Sequence, residues 1–201
     1  MKSILVIFAH PRLEKSRTNA ALIKSISHLP RVTIRDLYEE YPEYNIDIRR
    51  EKEFLLGHDI IVWHHPFYWY SCPPLLKQWI DMVLEIGWAY GPGGTALKGK
   101  LAFNAITTGG AREAYAREGR NSYTLREFLV PFEQTARLCQ MTYLPPFAVQ
   151  GTHRLTPEAI ARSGKEYALL LSRLADESLS IEHLLTLDSL DDEVRGKAME
   201  D

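Results

Sequence analysis

Three short stretches hold the residues best suited to chemistry. HPRLEKSRTN, residues 10–19, sets Ser16, Arg17, Thr18 and Asn19 at the start of an apolar helical repeat, with Arg12 and Lys15 close by. The free N–H groups and the dipole of a helix start, joined by hydroxyl donors, hold an anion such as a phosphate. A plain helix cap with solvated basic residues explains the same letters. HPFYWYSCPP, residues 65–74, places Phe67, Tyr68, Trp69 and Tyr70 in a row behind Pro66. Four adjacent aromatics cannot all face a core from one loop. A flat conjugated ligand would account for them, because ring stacking contributes about 0.5–1.5 kcal/mol per pair beyond area burial. A subunit interface is the alternative, and the two are compatible, since a dimer could close the site. TTGGAREAY, residues 107–115, stops a strand with Thr107 and Thr108 and continues with Gly109 and Gly110, whose bare backbone can approach a ring closely. Tyr115 then stands at the rim, able to bond a second substrate. A simple turn and a solvated Arg/Glu segment is the competing reading.

These loops need elements to hold them. SILVIFA (3–9), DIIVWHH (59–65) and LAFNAI (101–106) are short continuous apolar runs, the signature of parallel strands buried on both faces. VTIRDL (32–37) alternates and reads as an outer strand, and a fifth strand is expected near 142–149. Helical spacing of apolar residues predicts helices over 19–28, 47–56, 123–138 and 157–175, and Pro73-Pro74 opens another that carries Leu75, Leu76, Trp79, Ile80, Val83 and Leu84. Strands alternating with helices give an α/β fold: a flavodoxin-like, doubly wound, five-stranded parallel sheet of order 2-1-3-4-5, with helices on both faces. In such a sheet, ligands bind outside the carboxyl ends of the strands where the order reverses, which selects the loops after strands one, three and four. The sheet domain is expected over residues 1–175. The tail, 176–201, has nine acids against two bases and little to bury beyond Ile181, Leu184, Leu185 and Leu187, so a short helix or disorder is expected there.

Composition narrows the function. The tail carries −7 of a net −2, leaving +5 on the body, too weak a field to argue for nucleic acid. No G-x-x-x-x-G-K-[ST] phosphate loop is present, which speaks against a nucleoside-triphosphate enzyme. Gly91, Gly93 and Gly94 follow no strand and do not spell a dinucleotide signature. Two cysteines, Cys72 and Cys139, read as reduced thiols of a cytosolic protein. His64 and His65 lack further ligands at metal-binding spacing and read as hydrogen-bonded strand-end residues. Arg112, Arg117, Arg120 and Arg126 either meet a ligand phosphate or form solvated ion pairs with Glu113 and Glu118, the second being favoured. No opening stretch has the make-up of a secretory signal, and no apolar run nears the roughly 20 residues of a membrane helix.

Taken together, FAHP (8–11), NIDIRREKEFL (45–55), HPFYWYSCPPLLKQWIDMVL (65–84), GWAYGPGGTALKGK (87–100), TTGG (107–110) and LPPFAVQG (144–151) resemble the flavodoxin-like NAD(P)H–quinone oxidoreductases of the DT-diaphorase type. The likeness is strongest to their short members, the ancillary proteins of glutathione-regulated potassium-efflux antiporters, and covers residues 1–175. The resemblance implies FMN rather than FAD, because the chain is short. It places the phosphate and ribityl chain on His10 and Ser16, Arg17, Thr18 and Asn19, and the flavin ring on Pro66, Phe67, Tyr68, Trp69, Thr107, Thr108, Gly109 and Gly110. The implied reaction is ping-pong hydride transfer from NAD(P)H through the flavin to a quinone. Tyr115 matches a tyrosine beside the ring, whereas Asn121 stands near the place of that family's histidine. A homodimer, a potassium/proton antiporter as partner, and a cytoplasmic location, peripheral to the inner membrane face, are implied as well. A non-catalytic flavin-binding regulatory subunit of the transporter is the alternative function. A third reading, a flavodoxin-like electron carrier, would call for an acidic rim near the flavin, and the acid excess lies in the tail instead.

Overall fold

The computed structural model describes residues 1–195 and 197. Six strands form one parallel sheet: β1 (Ile4–Phe8), β2 (Val32–Asp36), β3 (Ile60–Pro66), β4 (Leu101–Thr107), β5 (Thr142–Tyr143) and β6 (Phe147–Val149). Their order is β2-β1-β3-β4-β5, with β6 also paired to β4, as the alternation of strands and helices predicted. β1, β3 and β4 are buried at every position. Their side chains alternate between two cores, as the period of two requires. Leu5, Ile7, Ile61, Trp63, Ala102 and Ile106 face one; Ile4, Val6, Phe8, Ile60, Val62 and Phe103 face the other.

Helices α1 (Arg17–Ile26), α2 (Leu37–Glu40), α3 (Ile48–Leu56), α4 (Pro74–Val83), α5 (Leu125–Phe128), α6 (Val130–Leu138), α7 (Pro157–Ala175), α8 (Ile181–Thr186) and α9 (Asp191–Val194) cover both faces. α3, α4 and α6 supply Leu55, Trp79 and Phe132 to the first core. α1 and α7 supply Leu22, Ile26, Tyr167 and Leu170 to the second. The first core also contains a fully buried carboxylate, Glu51. It accepts hydrogen bonds from Arg35 Nη2 (2.7 Å), the Tyr41 hydroxyl (2.7 Å) and Trp79 Nε1 (2.9 Å). One charge satisfied by three donors ties β2, α3 and α4 together, and losing a partner would strand it.

Three stretches differ from expectation. The single strand expected near 142–149 is two, because Pro145 and Pro146 cannot donate to the β4 ladder and interrupt it. The helix expected over 123–138 breaks at Leu129, since Pro131 is tolerated only in a first helical turn and opens α6. The acidic tail forms α8 and α9, and Leu184, Leu190 and Val194 sit in the second core at 0 % exposure. Leu190 and Val194 extend the tail's apolar pattern beyond Leu187. Its acids meet body arginines: Asp192 pairs both oxygens with Arg112 (2.9 Å each) and Glu193 meets Arg173 at 3.2 Å. Residues 196 and 198–201 of that tail lie outside the described part.

Candidate functional site

The loops after β1, β3 and β4 converge at the carboxyl edge of the sheet, beside the reversal of strand order. They enclose two adjoining cavities, of about 460 and 780 Å³, which share Phe67, Gly109 and His153 in their walls.

The smaller cavity has a basic end built on α1. Ser16 caps that helix: its Oγ accepts from Asn19 N (3.3 Å) and Asn19 Nδ2 (3.0 Å). The first-turn amides of Arg17 and Thr18 have no acceptor within the helix and are free for an anion. Arg12, Lys15 and Arg17 line the same end. His10 closes it from the sheet side. The Arg12 N–H donates to His10 Nδ1 (3.1 Å), so Nε2 carries the proton, and burial holds this imidazole below its ordinary pKa, neutral with one N–H to offer.

Asn19 plays a different part from its neighbours. Its Nδ2 donates to Ser16 Oγ and to Thr107 Oγ1 (2.9 Å), and its Oδ1 accepts from His64 Nε2 (3.2 Å). The side-chain amide is thus occupied in joining α1 to β3 and β4, and positions the loops.

The middle of the site is aromatic. Phe67 N donates to the Thr107 carbonyl (2.8 Å), extending the β3–β4 pairing into the loops. Tyr68 stands edge-on to His10, with centroids 6.1 Å apart. Trp69 and Tyr70 have φ of 48° and 62°, a left-handed backbone rarely adopted by bulky residues, and form the tip of a tight turn closed by Ser71 N to the Tyr68 carbonyl (2.9 Å). Such strain persists where surroundings enforce it. Here Tyr70 stacks on Phe128 (5.1 Å), leaving the Trp69 side 93 % exposed.

The glycines explain the loop after β4. A Cβ on Gly109 would lie 2.7 Å from His153 Nε2, and one on Gly110 would lie 3.1 Å from the Tyr115 ring. The bare backbone thus seats two side chains as well as leaving room for a ligand. Tyr115 packs against Phe67 (5.8 Å) and Phe128 (6.3 Å), and burial raises the pKa of its hydroxyl, which stays protonated at neutral pH. Asn121 lines the same cavity, and its Oδ1 accepts from the Tyr70 hydroxyl at 3.4 Å.

Beneath the loops, His64 and His65 are fully buried, and burial lowers them to about 3 and about 4. His65 Nδ1 donates to the Pro66 carbonyl (3.0 Å) while its Nε2 accepts from Asn104, whose Oδ1 accepts from Tyr143. This chain fixes the entry to the aromatic turn. No cluster of metal-ligating side chains occurs among the described residues.

The structure brings His10, Ser16, Arg17, Thr18, Asn19, Pro66, Phe67, Tyr68, Thr107 and Gly109 to the smaller cavity, and Trp69, Gly110 and Tyr115 to the larger. Thr108 lines neither. Its hydroxyl donates to the Gly110 carbonyl (2.7 Å) and its N–H to Val149 (3.0 Å), which shapes the turn from behind. The arginines of this region do not pair with Glu113 and Glu118 as expected. Arg112 meets Asp192 and Arg117 meets Glu127, acids distant in sequence. His153, Arg154 and Phe128 were missed. The two former follow β6 at the same sheet edge, a loop the strand-reversal rule does not select; Phe128 reads as an ordinary helix residue.

A family model described as "Flavodoxin-like fold" matches residues 2–171. A glutathione-regulated potassium-efflux system ancillary protein KefG from Enterobacter sp. (strain 638) is 44% identical over 164 residues, 82% of this chain and 90% of that protein. General stress protein 14 of Treponema denticola, whose crystal structure is a complex with FMN, is 38% identical with a TM-score of 0.82, covering 86% of this chain and 99% of that one. A P. pentosaceus protein described as an NADPH-quinone reductase is 33% identical with a TM-score of 0.76, covering 86% and 97%. A matching fold over most of the chain, together with relatives that align almost end to end, means that this chain belongs to the flavodoxin-like family of NAD(P)H–quinone oxidoreductases.

Proposed function

We propose that this protein is an FMN-dependent NAD(P)H–quinone reductase. The observation that carries the reading is the pair of adjoining cavities, basic at one end and aromatic with bare glycine backbone at the other. That donor set fits a flavin mononucleotide: Ser16, the Arg17 and Thr18 amides and His10 Nε2–H suit its phosphate and ribityl hydroxyls, while Pro66–Tyr68, Thr107, Gly109 and Gly110 suit its ring. Bound there, FMN would supply two-electron hydride chemistry between NAD(P)H and a quinone, in a ping-pong reaction.

The remaining work falls to the chain. Gly109 and Gly110 present main-chain N–H groups, which favour negative charge developing beside them. Tyr115, kept protonated, offers a hydroxyl to a carbonyl oxygen. Phe67, Tyr70 and Phe128 exclude water from that side of the cavity and orient a flat substrate. Asn121 donates and accepts hydrogen bonds and does not titrate, so proton relay through that position is not part of the reading. Purified protein is expected to be yellow, to release FMN on denaturation, and to oxidise NAD(P)H faster when a benzoquinone is present. A colourless preparation that ignores added FMN would remove the reading.

The 44% identity to a potassium-efflux ancillary protein supports a second role, as an activating subunit of a membrane potassium/proton antiporter with the enzyme docked at the inner membrane face. No helix among the described residues is long and apolar enough to cross a membrane, so this role needs docking by a surface. Trp69, which protrudes into solvent, is a candidate contact for a second copy of the chain, and the homodimer of this reading would close the site. Trp69→Ala is expected to reduce dimerisation in sedimentation or quinone turnover; no change in either counts against it.

A further inference from the structure

We propose that Arg120 and Arg154 form a subsite for the 2′-phosphate of NADPH, and that the protein therefore prefers NADPH to NADH. The proposal rests on the reductase reading above and adds which nicotinamide nucleotide the site selects.

The two cavities differ in what they leave unsatisfied. The smaller has its own anion end at the start of α1, which matches the phosphate of a mononucleotide. The larger has a second concentration of positive charge, Arg120 and Arg154, on the far side of the Gly109–His153 partition. One phosphate cannot serve both ends. NADH and NADPH both bring a diphosphate to the larger cavity; NADPH alone adds a peripheral 2′-phosphate, and Arg120 and Arg154 are the two guanidinium groups in that wall that could receive it.

The neighbouring arginines sharpen the point. Arg112 is held by Asp192 through two hydrogen bonds of 2.9 Å. Arg117 is paired with Glu127, and Arg126 Nη1 donates to the Leu187 carbonyl at 3.1 Å. Arg120 and Arg154, the two that line the cavity, have no ion-pair partner among the described residues. The single carboxylate in the same wall is Glu113, so the wall keeps a net positive charge. Guanidinium groups without carboxylate partners, at the mouth of a cavity floored by Phe67, Tyr70 and Tyr115, suit a ligand with flat rings and a peripheral phosphate. NADPH is such a molecule; NADH has the rings but a hydroxyl where the phosphate would be.

The test uses full-length, FMN-loaded protein and two readouts. Calorimetry compares 2′,5′-ADP with 5′-AMP, which differ by that phosphate and need no turnover. Wild type is expected to bind 2′,5′-ADP about tenfold or more tightly, and Arg120→Ala or Arg154→Ala to lose about tenfold of that advantage each, the size of one charge-assisted hydrogen bond. In steady-state assays the ratio of kcat/KM for NADPH over NADH should fall in parallel. Arg120→Gln and Arg154→Gln, which keep hydrogen-bonding capacity without charge, should behave like the alanine variants. Equal binding of the two nucleotides by wild type, or variants that keep the full preference, overturns the proposal. Selective binding without any NAD(P)H oxidation would sink the reductase reading and leave the subsite standing. Turnover that treats both nucleotides alike would do the reverse.

Discussion

At Gly109 the absence of a side chain decides two things at once. Any Cβ meets His153 at 2.7 Å, and a branched one also enters the space between the two cavities. Gly109→Val is expected to weaken FMN retention at least tenfold, measured by recovery of flavin fluorescence on dilution, while lowering the melting temperature little because the residue is exposed. Unchanged FMN affinity would mean that this loop does not face the cofactor. His153→Ala should partly rescue the variant, since it removes the nearest obstruction. Asn19 teaches the opposite lesson. Its type and place suggest a ligand contact, yet both of its amide hydrogens and one lone pair of its oxygen are engaged with Ser16, Thr107 and His64. A short polar side chain at a helix start can serve a ligand or a neighbouring strand, and sequence does not say which.

Among the elements, α8 and α9 change the picture most. Leu190 is fully buried against the second core, so Leu190→Ala should cost about 2–4 kcal/mol, read from urea midpoints at constant slope. A loss below about 0.5 kcal/mol would show that α9 is not part of the cooperative unit. The Arg112–Asp192 pair, by contrast, has its side chains 47% and 31% exposed, and a double-mutant cycle should give no more than about 1 kcal/mol. What was legible followed from strong periodicity. The buried runs of β1, β3 and β4 and the 19 residues of α7 show their faces directly in the letters. The β5–β6 interruption and the α5–α6 break depend on prolines, whose presence was visible but whose position within an element was not. The site was half legible: the three loops named themselves by composition, whereas His153 and Arg154 reach it from a fourth loop whose letters are ordinary. In the tail Leu184 and a helix were legible, whereas a high charge density hid two further core residues, Leu190 and Val194, spaced among the acids.

For the molecule as a whole, the buried imidazoles set an acid limit. Unfolded, His64 and His65 take up protons near their ordinary value of 6.5; folded, they do so only near 3 and 4. Below pH 6.5 the unfolded chain therefore binds more protons, and acidification favours it. The stability these residues contribute is complete above pH 6.5 and falls through that window by about 1.4 kcal/mol per pH unit for each histidine. Urea midpoints measured from pH 7.5 to 5.0 should decline, and His65→Gln should flatten the slope. A flat profile in wild type would show that the two rings are not shut away from water.

The split fifth strand also bears on solubility. Two prolines leave that margin of the sheet without a continuous ladder, and Pro146 offers a bare carbonyl. The C-terminal segment takes it: the Leu190 amide and the Ser189 hydroxyl each donate to it at 2.8 Å, and the Ala148 amide reaches Asp191 at 3.4 Å. Unpaired strand margins are where folded proteins recruit one another into aggregates. Through these bonds the acidic end of the chain serves as its own stopper, and shortening it would be felt first as a loss of colloidal behaviour, with turnover following.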